Sequence, residues 1–134
     1  MEGSRKEVPI EMKILIIDDE EDKCRLYGEE LREEGYEVVT ANTGEQGMKL
    51  LLKENPDLVT LDIWMSRRDE GIELLRRMKD YRSDLPIIML TAYDYRDDFA
   101  VWCADAYIVK SSDLSELKKA IKKMMNIGDQ ARCK

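Results

Sequence analysis

Several short apolar runs of this sequence end in charged or hydroxyl side chains that could do chemistry together. The first run is followed by Asp18 and Asp19, and later runs end at Asp62, Thr91 and Lys110. Carboxylates that converge without a cation repel one another, so a divalent ion is expected beside them. Only oxygen ligands are offered, which favours a hard cation such as Mg²⁺. A carboxylate nucleophile, a metal, a hydroxyl and a lysine together form the set that phosphoryl transfer requires.

Five β-rich runs separated by helix-length segments must position these residues. Several runs are apolar at nearly every position, which is typical of parallel strands covered on both faces. The carboxyl ends of such strands share one crevice, so we predict an α/β fold that brings the polar strand ends together. The predicted strands are residues 12–17, 36–39, 58–61, 86–90 and 106–109.

Capping residues mark the helix boundaries. Thr43-Gly-Glu-Gln46 and Asp113-Leu-Ser-Glu116 have the spacing of a capping residue and its partner, and each predicts a helix start. Gly35 and Asn55 predict helix ends.

Helical spacing of apolar residues predicts which face of a helix is buried. In the first helix the predicted inner residues are Leu26, Tyr27 and Leu31. In the last helix they are Leu114, Leu117, Ile121 and Met124, and the predicted basic outer face is Lys118, Lys119, Lys122 and Lys123.

The chain has 134 residues, 43% hydrophobic and 38% charged, which predicts one folded domain. We expect this domain to span residues 12–127, between a flexible extension, 1–11, and a polar tail, 128–134. The apolar runs are too short to span a bilayer, and no secretory signal is present, so a soluble cytoplasmic protein is expected.

The charge and the missing residue types exclude several function classes. A net charge of −7 disfavours direct nucleic-acid binding. The sequence contains no histidine, so a Ser-His-Asp site, a His-ligated metal and a phosphohistidine within this chain are excluded. Three widely spaced cysteines fit reduced thiols better than disulfides or a zinc site, and no chemistry is assigned to them.

The segments that carry the polar strand ends resemble the receiver domain of two-component response regulators. The resemblance runs from about Met12 to Met125. It implies a doubly wound five-stranded parallel sheet of order 2-1-3-4-5 with five helices, a flavodoxin-like three-layer sandwich. The segments are Ile14-Leu-Ile-Ile-Asp18-Asp19-Glu20, Asp57-Leu-Val-Thr-Leu-Asp62-Ile-Trp-Met65, Leu90-Thr91-Ala92 and Ile108-Val-Lys110.

The resemblance also implies roles for the acidic residues. Asp62 would accept a phosphoryl group from a sensor histidine kinase or a phosphotransfer protein. Asp19 would ligate Mg²⁺ directly, and Asp18 would act mainly through a water. Asp62 and the backbone carbonyl of Trp64 would complete the protein's share of the metal ligands.

The remaining implied roles concern the response to phosphorylation. Lys110 would pair with the phosphoryl oxygens, and Thr91 would move to hydrogen-bond one of them. Tyr107 occupies the aromatic switch position, and its side chain would follow the threonine inward. The expected output is contact with a downstream protein whose identity the sequence does not give, and phosphorylation-dependent homodimerisation is left open.

Two other functions are compatible with parts of the sequence. The family's Met-Pro-x-x-Asp-Gly pattern is replaced by the segment 65–71, which lacks the proline, so a pseudo-receiver that is never phosphorylated stays an alternative. Phosphatases of the haloacid dehalogenase type need a second Asp two residues after the nucleophile, where this chain has Trp64. We therefore expect a phosphoacceptor protein rather than an enzyme.

Overall fold

The computed structural model describes residues 12–62, 68–91, 105–109 and 114–133. The elements in chain order are β1 Lys13–Ile17, α1 Glu21–Glu33, β2 Glu37–Ala41, α2 Gly44–Glu54, β3 Leu58–Asp62, α3 Arg68–Tyr81, β4 Ile87–Thr91, β5 Ala106–Val109 and α4 Ser115–Cys133. The predicted strands are all present, and their bounds differ from the predicted ones by one or two residues at most.

The five strands form one sheet in the order β2-β1-β3-β4-β5, and every neighbouring pair is parallel. The predicted fold class and strand order are therefore confirmed. Of the five predicted helices, four are described, and the predicted helix between β4 and β5 falls outside the described residues. The last described helix is consequently α4.

Alternate residues of each strand enter two separate cores, one on each face of the sheet. In β1, Ile14 and Ile16 pack on the side of α1 and α4, and Leu15 and Ile17 pack on the side of α2 and α3. All four are at most 1% exposed. Helices that cover both faces explain why the strands are apolar at consecutive positions, and they make the molecule a three-layer sandwich.

The predicted end of α1 at Gly35 is confirmed. Gly35 has φ 106°, and its N–H donates to the carbonyl oxygen of Arg32 at 3.0 Å. The N–H of Tyr36 donates to the carbonyl oxygen of Leu31 at 3.3 Å. These two bonds form a Schellman motif, which requires the left-handed conformation that glycine adopts without strain.

The boundaries of α2 also agree with the sequence. The Thr43 hydroxyl accepts a hydrogen bond from the backbone N–H of Gln46 at 3.1 Å, so Thr43 is the N-cap. Asn55 closes the helix in a left-handed conformation, φ 49°, and its N–H donates to the carbonyl oxygen of Leu51. Asp113, the predicted cap of the last helix, lies outside the described residues.

The predicted inner face of α1 was wrong at Leu26, which is 43% exposed. The helix instead buries Cys24, Tyr27, Gly28 and Leu31. Those positions are spaced by three and four residues and form one stripe, whereas Leu26 is turned away from Tyr27 by the 100° between successive helix positions.

The predicted apolar face of α4 is confirmed by the burial of Leu114, Leu117 and Ile121 and by the packing of Met124 against them. Lys118 differs from the other lysines of the predicted basic face, because its ammonium group lies 2.9 Å from Glu30 of α1 and 3.5 Å from Glu34, the C-cap of that helix. The hydrogen bond to Glu30 raises the pKa of Lys118. Lys118 therefore joins the two helices of one layer.

None of the described helices is long and apolar enough to cross a membrane.

Helix α2 lies unusually close to the end of β1. A Cβ atom at Gly47 would lie 2.6 Å from Cδ1 of Ile17, which is closer than two carbon atoms can pack. Glycine at this position lets the helix backbone approach the last residue of β1, directly before Asp18.

One buried hydroxyl of the sheet generates a stability prediction. Thr60 is 1% exposed, its Oγ1 has no hydrogen-bond partner among the described residues, and its neighbours on the adjacent strands are Ile16 and Ile88. Because Thr60→Val keeps the shape and removes the unsatisfied group, we expect the free energy of unfolding to rise by about 1 kcal/mol.

Urea denaturation of both proteins would measure this change. Thr40→Val on the edge strand is the control. Thr40 is only half-buried, so this substitution should leave the free energy of unfolding within about 0.5 kcal/mol of the starting protein. A Thr60→Val protein that unfolds more easily would show that the hydroxyl stabilises the fold.

Candidate functional site

Two neighbouring strands bring three carboxylates together at the carboxyl edge of the sheet. Asp18 directly follows β1, Asp62 is the last residue of β3, and the pairing of Ile17 with Leu61 sets the two strand ends side by side. Ligand oxygens of Asp18, Asp19 and Asp62 all lie within 4.8 Å of one another. The predicted convergence of the acidic residues is present.

The burial of these carboxylates determines what they can bind. Asp18 is 1% exposed and Asp62 is 3% exposed, whereas Asp19 is open to solvent. Two like charges about 4 Å apart repel by roughly 4 kcal/mol at an effective dielectric constant of about 20. A cation among the three oxygens removes that repulsion, and an all-oxygen donor set fits a hard divalent ion such as Mg²⁺.

The acidic run after β1 serves two purposes. The carboxylate of Asp18 accepts a hydrogen bond from the backbone N–H of Glu20 at 2.9 Å, which closes a tight turn before α1. Glu21 and Asp22 lie in the first turn of the helix, where negative charge is favoured by the helix dipole. The first two acidic residues therefore belong to the site, and the next ones to the start of the helix.

The backbone of Asp18 is held by residues to which sequence reasoning assigned no role. Its N–H donates to the carbonyl oxygen of Ala41 at 3.1 Å. Its carbonyl oxygen accepts hydrogen bonds from Nδ2 of Asn42 at 3.0 Å and from Sγ of Cys24 at 3.3 Å. Neither residue type is distinctive. Asn42 reaches this carbonyl because the β2–α2 connection passes the end of β1, and Cys24 reaches it from the beginning of α1.

The same sheet contains two of the other predicted site residues. Thr91 ends β4, one residue beyond Leu90, which pairs with Asp62. Tyr107 lies in β5 and pairs with Met89. Strand pairing places only the backbone of these two residues, so the side-chain roles of Thr91 and Tyr107 stay predictions. Trp64 and Lys110 lie outside the described residues.

A comparison with protein-family models matches residues 14–122 to the response regulator receiver domain. The chain belongs to this family. The match includes residues of every strand of the sheet and all three acidic residues of the site.

Two curated bacterial relatives come from Bacillus subtilis. The receiver domain is 36% identical over 116 residues to sporulation initiation phosphotransferase F, an alignment that covers 84% of this chain and 93% of that protein. It is 35% identical to the alkaline phosphatase synthesis transcriptional regulatory protein PhoP, covering 84% of this chain but 48% of that protein. The chain thus spans about half the length of the second relative.

Solved structures show the same architecture. The response regulator TrrA of Thermotoga maritima in complex with Mg(2+)-BeF is 45% identical with a TM-score of 0.79, covering 84% of this chain and 97% of TrrA. TrrA in complex with the histidine kinase ThkA gives a TM-score of 0.77 at the same identity and coverage. A receiver domain from Methanospirillum hungatei is 30% identical with a TM-score of 0.83, covering 90% and 98% of the two chains.

The carboxylate geometry predicts that a divalent cation stabilises the folded receiver domain. A ligand at 100 times its dissociation constant adds about 2.7 kcal/mol to the free energy of unfolding, which would raise the melting temperature by several degrees. Thermal unfolding at increasing Mg²⁺ concentration measures the effect.

Asp62→Asn and Asp18→Asn should lose most of the Mg²⁺-dependent increase. The matched control is Asp57→Asn, at the opposite end of β3, where the carboxylate accepts a hydrogen bond from the N–H of Lys13. An equal Mg²⁺ response in all four proteins would place the bound cation elsewhere.

Proposed function

We propose that this receiver domain is a phosphorylation switch in which Asp62 accepts a phosphoryl group from a sensor histidine kinase or a phosphotransfer protein. The observation that carries the proposal is the grouping of a buried Asp62 with Asp18 and Asp19 within 4.8 Å. The complexes of TrrA with Mg(2+)-BeF and with the histidine kinase ThkA support the same chemistry and the same class of partner. The domain acts as a phosphoacceptor in signalling rather than as an enzyme with a separate substrate.

The transfer needs no general base in this chain. A carboxylate oxygen of Asp62 forms the new bond to phosphorus, and the bond between phosphorus and the donor's imidazole nitrogen breaks. The imidazole leaves with that electron pair and takes up a proton, so atoms and charge balance. Because the sequence contains no histidine, the phosphohistidine belongs to the partner.

The acidic residues would hold Mg²⁺ for this reaction. Asp19, Asp62 and the backbone carbonyl of Trp64 are the proposed direct ligands, and Asp18 is proposed to act mainly through a water. The bound ion supplies positive charge that offsets the phosphoryl oxygens as negative charge gathers on them. Asp18 and Asp62 are almost fully buried, so little bulk water surrounds their part of the site.

The response to phosphorylation is proposed to run through the other half of the sheet. Lys110 pairs with the phosphoryl oxygens, Thr91 hydrogen-bonds one of them, and Tyr107 follows inward. A change of 1–3 kcal/mol between two conformations corresponds to a change in partner affinity of roughly 5- to 150-fold. The proposed output is contact with a downstream protein in the cytoplasm, without direct nucleic-acid binding or membrane insertion.

The central claim predicts a single phosphoryl adduct on Asp62. Incubation with acetyl phosphate and Mg²⁺, followed by intact-mass spectrometry, should detect one adduct on the chain. A chelator should abolish the adduct, because without Mg²⁺ no cation offsets the negative charge of the phosphoryl oxygens. The adduct should also be absent from Asp62→Asn.

Asp57→Asn provides the matched control, since it changes the aspartate directly before the same strand, and this protein should still accept the phosphoryl group. An adduct on Asp62→Asn would contradict the assignment of the acceptor. The absence of any adduct on a protein that binds Mg²⁺ would contradict phosphoacceptance and favour the pseudo-receiver.

A further inference from the structure

The peptide group between Asp18 and Asp19 is fastened by two side chains from outside the acidic cluster. The carbonyl oxygen of Asp18 accepts hydrogen bonds from Nδ2 of Asn42 at 3.0 Å and from Sγ of Cys24 at 3.3 Å. Nδ2 of Asn42 also lies 3.5 Å from the Cys24 sulfur, and the carbonyl oxygen of Ala41 is a second, more distant acceptor for the Cys24 thiol at 3.7 Å. A carbonyl oxygen has two lone pairs, so it can accept both bonds at once.

This peptide group determines the direction of the Asp19 side chain. A peptide unit is planar, so rotating the carbonyl of Asp18 also turns the N–H of Asp19 and redirects the chain at its Cα. The backbone before and after this peptide group is already held by hydrogen bonds. The Asp18 N–H donates to the Ala41 carbonyl oxygen, and the Glu20 N–H donates to the Asp18 carboxylate. The orientation of the peptide plane is the degree of freedom that Asn42 and Cys24 remove.

We propose that Asn42 and Cys24 are positioning residues of the metal centre, which aim the carboxylate of Asp19 at the same point as those of Asp18 and Asp62. The inference rests on the proposed function and deepens it. Asp19 is exposed, so core packing does not set its direction, and the orientation of the backbone at its Cα contributes to that direction. Neither residue touches the cation in this scheme, and both act through the Asp18 carbonyl.

Loss of either donor should weaken Mg²⁺ binding. Groups that orient metal ligands without binding the metal typically contribute 10- to 100-fold to affinity. We expect Asn42→Ala to raise the dissociation constant for Mg²⁺ roughly 10-fold or more. The measurement is calorimetric titration of the unphosphorylated full chain with Mg²⁺, which needs no phosphoryl transfer.

Two further substitutions separate positioning from charge and from packing. Asn42→Asp adds a negative charge near the cation, which would tighten binding if only charge mattered, but it replaces the donor facing the Asp18 carbonyl with an acceptor. We expect weaker Mg²⁺ binding.

Cys24→Val keeps an apolar side chain of similar size without a donor and should weaken Mg²⁺ binding. Cys24→Ser keeps the donor, and its dissociation constant for Mg²⁺ should remain within about threefold of that of the starting protein.

The matched control is Gln46→Ala, which removes the side chain that accepts a hydrogen bond from the Asn42 N–H but does not reach Asp18. Its Mg²⁺ affinity should stay within about threefold of the starting protein. The melting temperature of each metal-free variant is measured beside the titration, because a purely structural role would change stability without separating Cys24→Val from Cys24→Ser in Mg²⁺ affinity.

The outcomes distinguish this inference from the proposed function. Unchanged affinity in Asn42→Ala, or equal weakening in Gln46→Ala, would overturn the positioning role while Mg²⁺ binding by the starting protein stands. Should Asn42→Ala fail to fold, equal affinities of Cys24→Val and Cys24→Ser would overturn it instead. A starting protein that binds no Mg²⁺ would overturn both this role and the proposed metal centre.

Discussion

The constraint on which this molecule depends is the approach of Asp18 and Asp62 at the ends of adjacent parallel strands. Both carboxylates are almost fully buried, and with Asp19 their ligand oxygens lie within 4.8 Å of one another. Charges of one sign at that separation are unfavourable without a counterion. The fold therefore concentrates negative charge where a cation would be bound favourably, and a ligand that binds only the folded state contributes to its stability.

Holding that arrangement requires a rigid sheet, and the packing provides one. Helices cover both faces, so each central strand is fixed by two cores rather than one. Gly47 lets α2 approach the end of β1, and the turn closed by Gly35 sends the chain from α1 into β2, the strand beside β1. The β2–α2 connection then reaches the Asp18 carbonyl through Asn42. Packing at a distance from the carboxylates thus determines where they point.

The sequence predicted what depends on periodicity, caps and strand ends. The strands, the Thr43 cap and the Gly35 stop follow from local rules, and the order of the sheet followed from the family resemblance. Leu26 was predicted wrongly because a single apolar residue does not define a helix face until the whole stripe is considered. Asn42 could not be found, since its contact depends on how the β2–α2 connection meets the end of β1 in space. Cys24 is only six residues from Asp18, but nothing in the sequence distinguishes it from any other buried residue of α1.

The strand order also separates the two tasks of the proposed switch. Asp62 ends β3, the central strand, with β1 on one side and β4 on the other. Two of the three proposed metal-binding carboxylates, Asp18 and Asp19, follow β1, on the side where Asn42 and Cys24 hydrogen-bond the Asp18 carbonyl. Thr91 ends β4, and its pairing with Val109 brings the end of β5 alongside. A site of this kind can hold its cation with one rigid half while the other half responds to the phosphoryl group, because the acceptor lies between them. In that scheme the proposed movement of Thr91 does not require Asp18 and Asp19 to move.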